Sequence, residues 1–109
     1  MRMKKIITYV NVYYQDKIIL DQIADEVGLP PHYLCRHFKQ QMDCTSFKYI
    51  LDFRLRKSIE LLEKDISITD ISYMCGFGDV HFFTKKFKEK MNVTPYVYKK
   101  NLKEKDVHI

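Results

Sequence analysis

Two segments of this 109-residue chain repeat each other, and the repetition limits what the chain can fold into more than any other feature. Each segment reads as a short helix, a glycine turn and a longer helix with apolar anchors four residues apart, which is the helix-turn-helix pattern. Two copies in one register favour paired helix-turn-helix motifs over unrelated helical hairpins. With an offset of 48 and then 49 residues, the matched pairs are Leu20 and Ile68, Ile23 and Ile71, Ala24 and Ser72, Gly28 and Gly76, Leu29 and Phe77, Leu34 and Phe83, Phe38 and Phe87, and Lys39 and Lys88.

Helical spacing of apolar residues extends over almost the whole chain, so the sequence predicts an all-α fold of seven helices without strands. Glycines 28 and 76 suit the left-handed residue that ends a helix, and Asp79 suits a helix N-cap. The predicted parts of this single domain are a first helix-turn-helix at about 19–42, a long linker helix at about 46–64, a second helix-turn-helix at about 67–91, and a C-terminal helix at about 95–105.

The segments outside the repeat add further expectations. Thr45 or Ser46 can cap the linker helix, whose apolar stripe is predicted to begin at Phe47, and Thr94 with Pro95 can start the last helix, whose stripe includes Val97. Tyrosines 73, 96 and 98 are interpreted as core or corner residues, and Cys44 and Cys75 as buried apolar residues. The basic side chains Arg54, Arg56 and Lys57 are predicted to form a solvated face or to pair with Glu60 and Glu63.

Composition argues against several classes of protein. Three cysteines without a CxxC pair do not make a disulfide framework or a zinc knuckle, and they fit a reducing compartment. Three glycines leave no phosphate-binding loop, and no apolar run reaches the length of a membrane span. His32 and Cys35 share a helix face, but His37 points elsewhere and a fourth metal ligand is missing. We therefore expect a cytoplasmic protein that is not an enzyme and uses no cofactor or metal.

The formal charge of +5 is concentrated in one part of the chain. Residues 79–105 contain eight lysines against Asp79, Glu89 and Glu104, whereas the remaining residues carry 11 basic and 11 acidic side chains. This local excess favours a polyanionic partner. It predicts that the second helix-turn-helix supplies most of the salt-dependent affinity.

At the level of motifs, the chain resembles the DNA-binding domain of AraC/XylS-type bacterial transcription regulators over about residues 4–100. The runs that carry the resemblance are IADEVGLPPHYLCRHFKQ, FKYILDFRLRKSIELL and ITDISYMCGFGDVHFFTKKFKEKMNVTPYVYKK, and its most specific part is Gly76-Phe77, Asp79, Phe83, Phe87-Lys88, Thr94-Pro95 and Tyr98-Lys99. Departures from the usual pattern include Pro30 in place of a capping Ser, Cys35, Val80, and Asn92 in place of a Gly.

The resemblance implies two helix-turn-helix subdomains that place their recognition helices in adjacent major grooves of double-stranded DNA and usually activate transcription. It implies RNA polymerase as a further partner and a small-molecule effector only through a domain not present in this chain. A stand-alone regulator and a fragment of a longer protein are equally compatible with it. The alternative interpretation is a helical protein-interaction module without DNA affinity.

Each recognition helix turns its anchors inward and its other face to the groove. In the first helix, Arg36 is the foremost candidate for base contact because its guanidinium fits guanine O6 and N7. In the second, Val80 can only contact thymine methyls or follow groove shape, and Tyr33 and Phe82 occupy matching positions at the rim. The predicted DNA-binding residues are His32, Tyr33, Cys35, Arg36, Lys39 and Gln40 in the first helix and Val80, His81, Thr84, Lys85 and Lys88 in the second.

Overall fold

A computed structural model describes residues 2–16 and 20–107, and within these ranges the chain is helical, with no strand. Residue 19, where the first helix-turn-helix is predicted to begin, lies outside the described residues. Two compact units divide the chain, Met1–Phe53 and Arg54–Ile109, and the long helix α4 contributes to both. The seven helices are α1 (Arg2–Tyr13), α2 (Leu20–Val27), α3 (Pro31–Met42), α4 (Ser46–Leu62), α5 (Ile68–Met74), α6 (Val80–Met91) and α7 (Pro95–Val107).

The first unit is built on a core in which α1, α2 and α3 each bury an apolar stripe. The anchors Leu34 and Phe38 of α3 are 1% exposed, so this helix has one face committed to the core and the opposite face free. Tyr49 of α4 closes the core by packing its ring edge-on against Phe38, with 5.5 Å between ring centroids. The buried cluster comprises Met3, Ile6, Ile23, Ala24, Val27, Leu34 and Phe38.

The second unit repeats this plan with aromatic side chains. Phe83 and Phe87 of α6 are completely buried, and their rings lie 5.7 Å apart in an edge-on arrangement. Phe77, in the turn before α6, packs against Phe83 at 4.8 Å, and Tyr98 of α7 packs edge-on against Phe87 at 5.6 Å. The aromatic anchors therefore link the glycine turn, α6 and α7.

Both glycine turns have the same hydrogen-bonded geometry. Gly28 and Gly76 adopt φ values of 73° and 88°, in the left-handed region that favours glycine. The next residue in each turn then donates its N–H back to the helix, from Leu29 to the Ala24 carbonyl and from Phe77 to the Ser72 carbonyl, at 2.9 Å in both cases. These are the bonds of a Schellman motif, and they confirm the two turns predicted from the repeat.

Helix starts follow the predicted capping residues. The Asp79 carboxylate accepts hydrogen bonds from the backbone N–H groups of His81 and Phe82, at 2.7 and 3.4 Å. Thr45 caps α4 by accepting from Lys48 N–H at 3.1 Å, and Thr94 caps α7 in the same way. By contrast, α3 starts after Pro30, which makes no side-chain cap bond. Its N-terminal end is therefore held by packing and by the proline backbone.

Several aromatic and apolar side chains lie where the sequence interpretation did not put them. Tyr73 and Tyr96, interpreted as core or corner residues, are 58% and 67% exposed, while Phe47, expected in the apolar stripe of α4, is 65% exposed. Val97 of α7 is also exposed. On α4 the ring of Phe53 is buried, and Tyr14 contacts it edge-on. Helical periodicity defines a face, but the neighbouring helices decide how wide a strip of it they cover.

Candidate nucleic-acid interface

The free face of α3 carries the predicted DNA-binding residues of the first unit. Because Leu34 and Phe38 point into the core, the helix presents its opposite face to solvent. The structure brings the six predicted residues together on this surface and leaves all of them exposed: His32, Tyr33, Cys35, Arg36, Lys39 and Gln40. Exposed basic groups on a helix whose N-terminal half is unobstructed can reach phosphates and base edges.

An open cleft of about 620 Å³ lies beside this face, between α3 and the first turns of α4. Its rim carries positive charge and no carboxylate, and its floor is apolar. The side chains that line it are Ile23, His32, Cys35, Arg36, Lys39, Thr45, Ser46, Phe47 and Ile50. The cleft is therefore shaped and charged for an anionic partner with an apolar part.

Tyr33 lies at the rim of α3 and is 47% exposed. Its ring stacks on that of His37, with an interplanar angle of 11° and 6.1 Å between centroids. This stacking holds the tyrosine over the next turn of the helix and leaves much of its side chain open to solvent. His37 is consequently committed to a contact with Tyr33 along the helix.

The free face of α6 carries the second set of predicted residues. His81, Lys85 and Lys88 are exposed, while Val80 and Thr84 are half-buried. The Thr84 hydroxyl donates a hydrogen bond to the Val80 carbonyl at 2.7 Å. Its hydrogen is thereby used within the helix, so toward DNA this hydroxyl can act as an acceptor and its methyl group as an apolar contact.

Phe82 occupies the rim position of α6 that corresponds to Tyr33 of α3. Its ring lies 6.2 Å from that of Phe77, and the ammonium group of Lys86 lies 5.8 Å from its centroid. Lys86 also forms an ion pair with Glu89 at 3.5 Å. Lys86 is therefore engaged inside the unit. Among the residues of α6 that are predicted to bind DNA, the exposed lysines are Lys85 and Lys88.

The residues of the TPxxYK motif have structural tasks. Thr94 caps α7, Pro95 is completely buried at its first position, and Tyr98 packs on Phe87. The Lys99 ammonium group donates to the backbone carbonyl of Ile66, just before α5. Lys99 thus takes part in the internal hydrogen bonding of the second unit.

The basic residues of α4 in the second unit are partly engaged as predicted. Lys57 pairs with Glu60 at 3.5 Å. Arg54 is half-buried, and this burial lowers its pKa, whereas the Cys75 thiol acts in the opposite direction. Burial raises the pKa of Cys75 to about 11, with Glu60 adding to the shift and Arg54 opposing it. Cys75 is fully buried as predicted, whereas Cys44 is only half-buried.

No group of three or more His, Cys, Asp or Glu side chains in residues 2–16 and 20–107 is arranged to hold a metal ion. None of the helices in the same ranges combines the length and apolar character needed to cross a membrane.

Comparison with known proteins identifies the family. A family model described as a helix-turn-helix domain matches residues 23–101. The chain is 37% identical over 100 residues to the HTH-type transcriptional regulator YdeC of Bacillus subtilis, covering 91% of this chain and 34% of YdeC. A crystal structure of a regulator with an AraC-type DNA-binding domain from Chromobacterium violaceum superposes with a TM-score of 0.84 at 26% identity, covering 93% of this chain and 91% of that one. The chain belongs to the AraC/XylS family.

This family consists of DNA-binding transcription regulators and not of enzymes. Another AraC-type relative is the transcriptional activator RhaS of Escherichia coli, which is 33% identical over 95 residues, covering 86% of this chain and 34% of RhaS. The chain spans about a third of the length of both curated relatives. The helix-turn-helix fold predicted from the internal repeat is thus confirmed.

In this AraC-type domain the internal repeat extends beyond Lys39 and Lys88, the last pair matched in the sequence. At the same offset of 49, Asp43 corresponds to Asn92, and both adopt left-handed φ values, 57° and 67°. Thr45 corresponds to Thr94, and both cap the next helix. Continuing the alignment past Lys39 and Lys88 also pairs two exposed aromatic side chains, Phe47 of the predicted α4 stripe and Tyr96, which was interpreted as a core or corner residue.

Proposed function

We propose that this chain is the sequence-specific DNA-binding domain of a bacterial transcription regulator acting at the nucleoid, with α3 and α6 as recognition helices in adjacent major grooves. One observation carries the proposal: each of these helices buries two anchors and exposes histidine and basic side chains at equivalent positions, His32, Arg36 and Lys39 in α3 and His81, Lys85 and Lys88 in α6. Family membership supports double-stranded DNA as the partner.

The proposed domain comprises residues 1–109, divided into a first helix-turn-helix at about 19–42, the linker helix, a second helix-turn-helix at about 67–91 and the C-terminal helix. Arg36 forms paired hydrogen bonds with a guanine, and Lys88 neutralises a phosphate. The other predicted residues of the two exposed faces complete the contact surface. Since RhaS is named an activator, we favour activation, with RNA polymerase as a partner and any small-molecule effector acting through a domain outside these residues.

Selection of binding sites from a random duplex pool tests this function. We expect enrichment of a bipartite site whose halves lie about 10 base pairs apart, because two recognition helices on one face of DNA are separated by one helical turn. A single short site would contradict the placement of both helices in adjacent grooves. If micromolar protein retained no duplex at low salt, the domain would instead be a protein-interaction module.

A further inference from the structure

We infer that Phe47, in the first turn of α4, is an additional DNA-contacting residue that recognises a thymine through its 5-methyl group and the adjoining deoxyribose. This inference rests on the proposed function, because it extends the contact surface of α3 to a residue outside the recognition helix. It adds an apolar determinant of sequence preference to the hydrogen-bonding determinant at Arg36.

Phe47 lies beside the exposed face of α3. Its side chain is 65% exposed, yet it lines the same cleft as His32, Cys35 and Arg36. The surface proposed to face the major groove through Arg36 therefore includes the aromatic ring of Phe47. Tyr49 and Ile50 make the contacts of α4 with the core cluster and Phe53 is buried farther along the helix, so most of the Phe47 ring stays uncovered.

The chemistry of the cleft also favours a DNA contact. Its rim is formed by His32, Arg36 and Lys39, which complement phosphates, and its apolar floor includes Ile23 and Ile50. DNA offers both features together, since the thymine methyl group and the deoxyribose are its apolar surfaces beside the phosphates. Phenylalanine is among the side chains that contact thymine methyls in the major groove.

The second unit also has an exposed aromatic residue at the position that corresponds to Phe47. Tyr96 stands at the position of α7 that corresponds to Phe47 of α4, directly after the capping threonine and the following residue. It is 67% exposed, a value close to that of Phe47. An exposed aromatic ring in the same place after both recognition helices is consistent with a shared contact to the same partner.

The test compares Phe47→Ala with Val12→Ala, a substitution at a similarly exposed apolar residue of α1 (62% exposed) that lies outside the cleft. Affinities are measured by fluorescence anisotropy on the duplex selected by the unaltered chain and on a random duplex. We expect Phe47→Ala to weaken binding to the selected duplex about five- to tenfold, through the loss of more than one buried methyl equivalent. Binding of Phe47→Ala to the random duplex should stay within about twofold of the unaltered chain, because this duplex does not depend on the thymine contact. Val12→Ala should also stay within about twofold on both duplexes, because Val12 lies outside the cleft.

Replacing each thymine of the selected duplex by uracil, one at a time, removes single methyl groups and locates the contact. One replacement should weaken binding by the unaltered chain about fourfold and have no effect on the Phe47→Ala protein. A Phe47→Leu protein, which keeps an apolar side chain, should retain part of this sensitivity. Melting followed by circular dichroism verifies that each variant is folded.

The outcomes separate the two proposals. If the unaltered chain retains no duplex, the proposed DNA-binding function itself fails. If it binds its selected duplex but Phe47→Ala binds equally well, or if both proteins respond identically to every uracil replacement, the function stands and the role assigned to Phe47 is wrong.

Discussion

The two helix-turn-helix units have the same order of helices but different interiors. Around the recognition helix of the first unit, the core combines Phe38 with aliphatic residues such as Ile23 and Leu34. In the second, Phe83 and Phe87 are surrounded by further aromatic rings. A repeated backbone arrangement therefore tolerates different core chemistry, provided that the anchor positions and the glycine turn are kept.

Their surfaces differ as well. The first unit, Met1–Phe53, has seven basic and six acidic residues, whereas the second has 12 basic and eight acidic residues. Two lysines of this unit are also engaged inside it, Lys86 in an ion pair with Glu89 and Lys99 in a hydrogen bond to the Ile66 carbonyl. We expect the second unit to dominate phosphate attraction and the first to depend more on specific contacts at Arg36 and Phe47.

The largest expected effect concerns the two cores. Phe87→Ala should lower the free energy of unfolding by about 3–5 kcal/mol, because it leaves a large buried cavity. It should cost about 1 kcal/mol more than Phe38→Ala, since Phe87 packs edge-on against both Phe83 and Tyr98, and aromatic pairs add to simple burial. Urea unfolding followed by circular dichroism measures both values. Equal losses would show that the aromatic cluster adds nothing to the stability of the second unit.

The next contrast is between base contact and phosphate contact. Arg36→Ala should reduce affinity for the selected duplex by about 1–3 kcal/mol and affect a random duplex little, because the bonds to guanine are sequence-dependent. Lys88→Ala should weaken both duplexes alike and reduce the slope of log affinity against log salt concentration by about 1. Titrations of both duplexes at several salt concentrations measure these affinities. Equal losses of affinity on both duplexes for Arg36→Ala would refute its base-contacting role.

A smaller effect concerns the starts of the recognition helices. Asp79→Ala should destabilise the second unit by about 1 kcal/mol, because two backbone N–H groups lose their acceptor. Pro30→Ser should stabilise the first unit by about 0.5 kcal/mol, since a serine hydroxyl supplies the cap bond that α3 lacks. Thermal melting of both variants compares them. A loss of stability in Pro30→Ser would mean that the rigid proline backbone is worth more than the missing cap.

The last effect appears only at alkaline pH and involves the buried thiol of Cys75. Its pKa of about 11 lies above the ordinary value of 9.0, so between pH 9 and 11 the unfolded chain releases this proton while the folded chain keeps it. The free energy of unfolding should therefore fall as pH rises through this range, and Cys75→Ala should show a shallower fall. Urea unfolding at pH 8, 9 and 10 gives the comparison. Parallel curves for the two proteins would exclude a contribution from this thiol.

Local chemistry accounts for what could be predicted from the sequence. Gly28 and Gly76 take left-handed conformations and Asp79 caps α6 because these preferences depend on a few neighbouring atoms. The anchors Phe38 and Phe87 are buried because anchor spacing in a recognition helix defines one face. The exposure of the predicted DNA-binding residues of α3 follows directly, as they occupy the opposite face of the same helix. Their contacts with DNA remain a prediction.

The sequence by itself determined the seven helices, their turns and the duplication of the helix-turn-helix, since each depends on spacing and on interactions within a few residues. Only the tertiary structure decided which aromatic rings are covered. Phe53 is buried while Phe47, on the same helix, is exposed, and Tyr98 packs on Phe87 while Tyr96 faces solvent. Burial depends on whether another helix reaches a given ring, and residues distant in the chain supply that neighbour. The cleft beside Arg36 arises for the same reason.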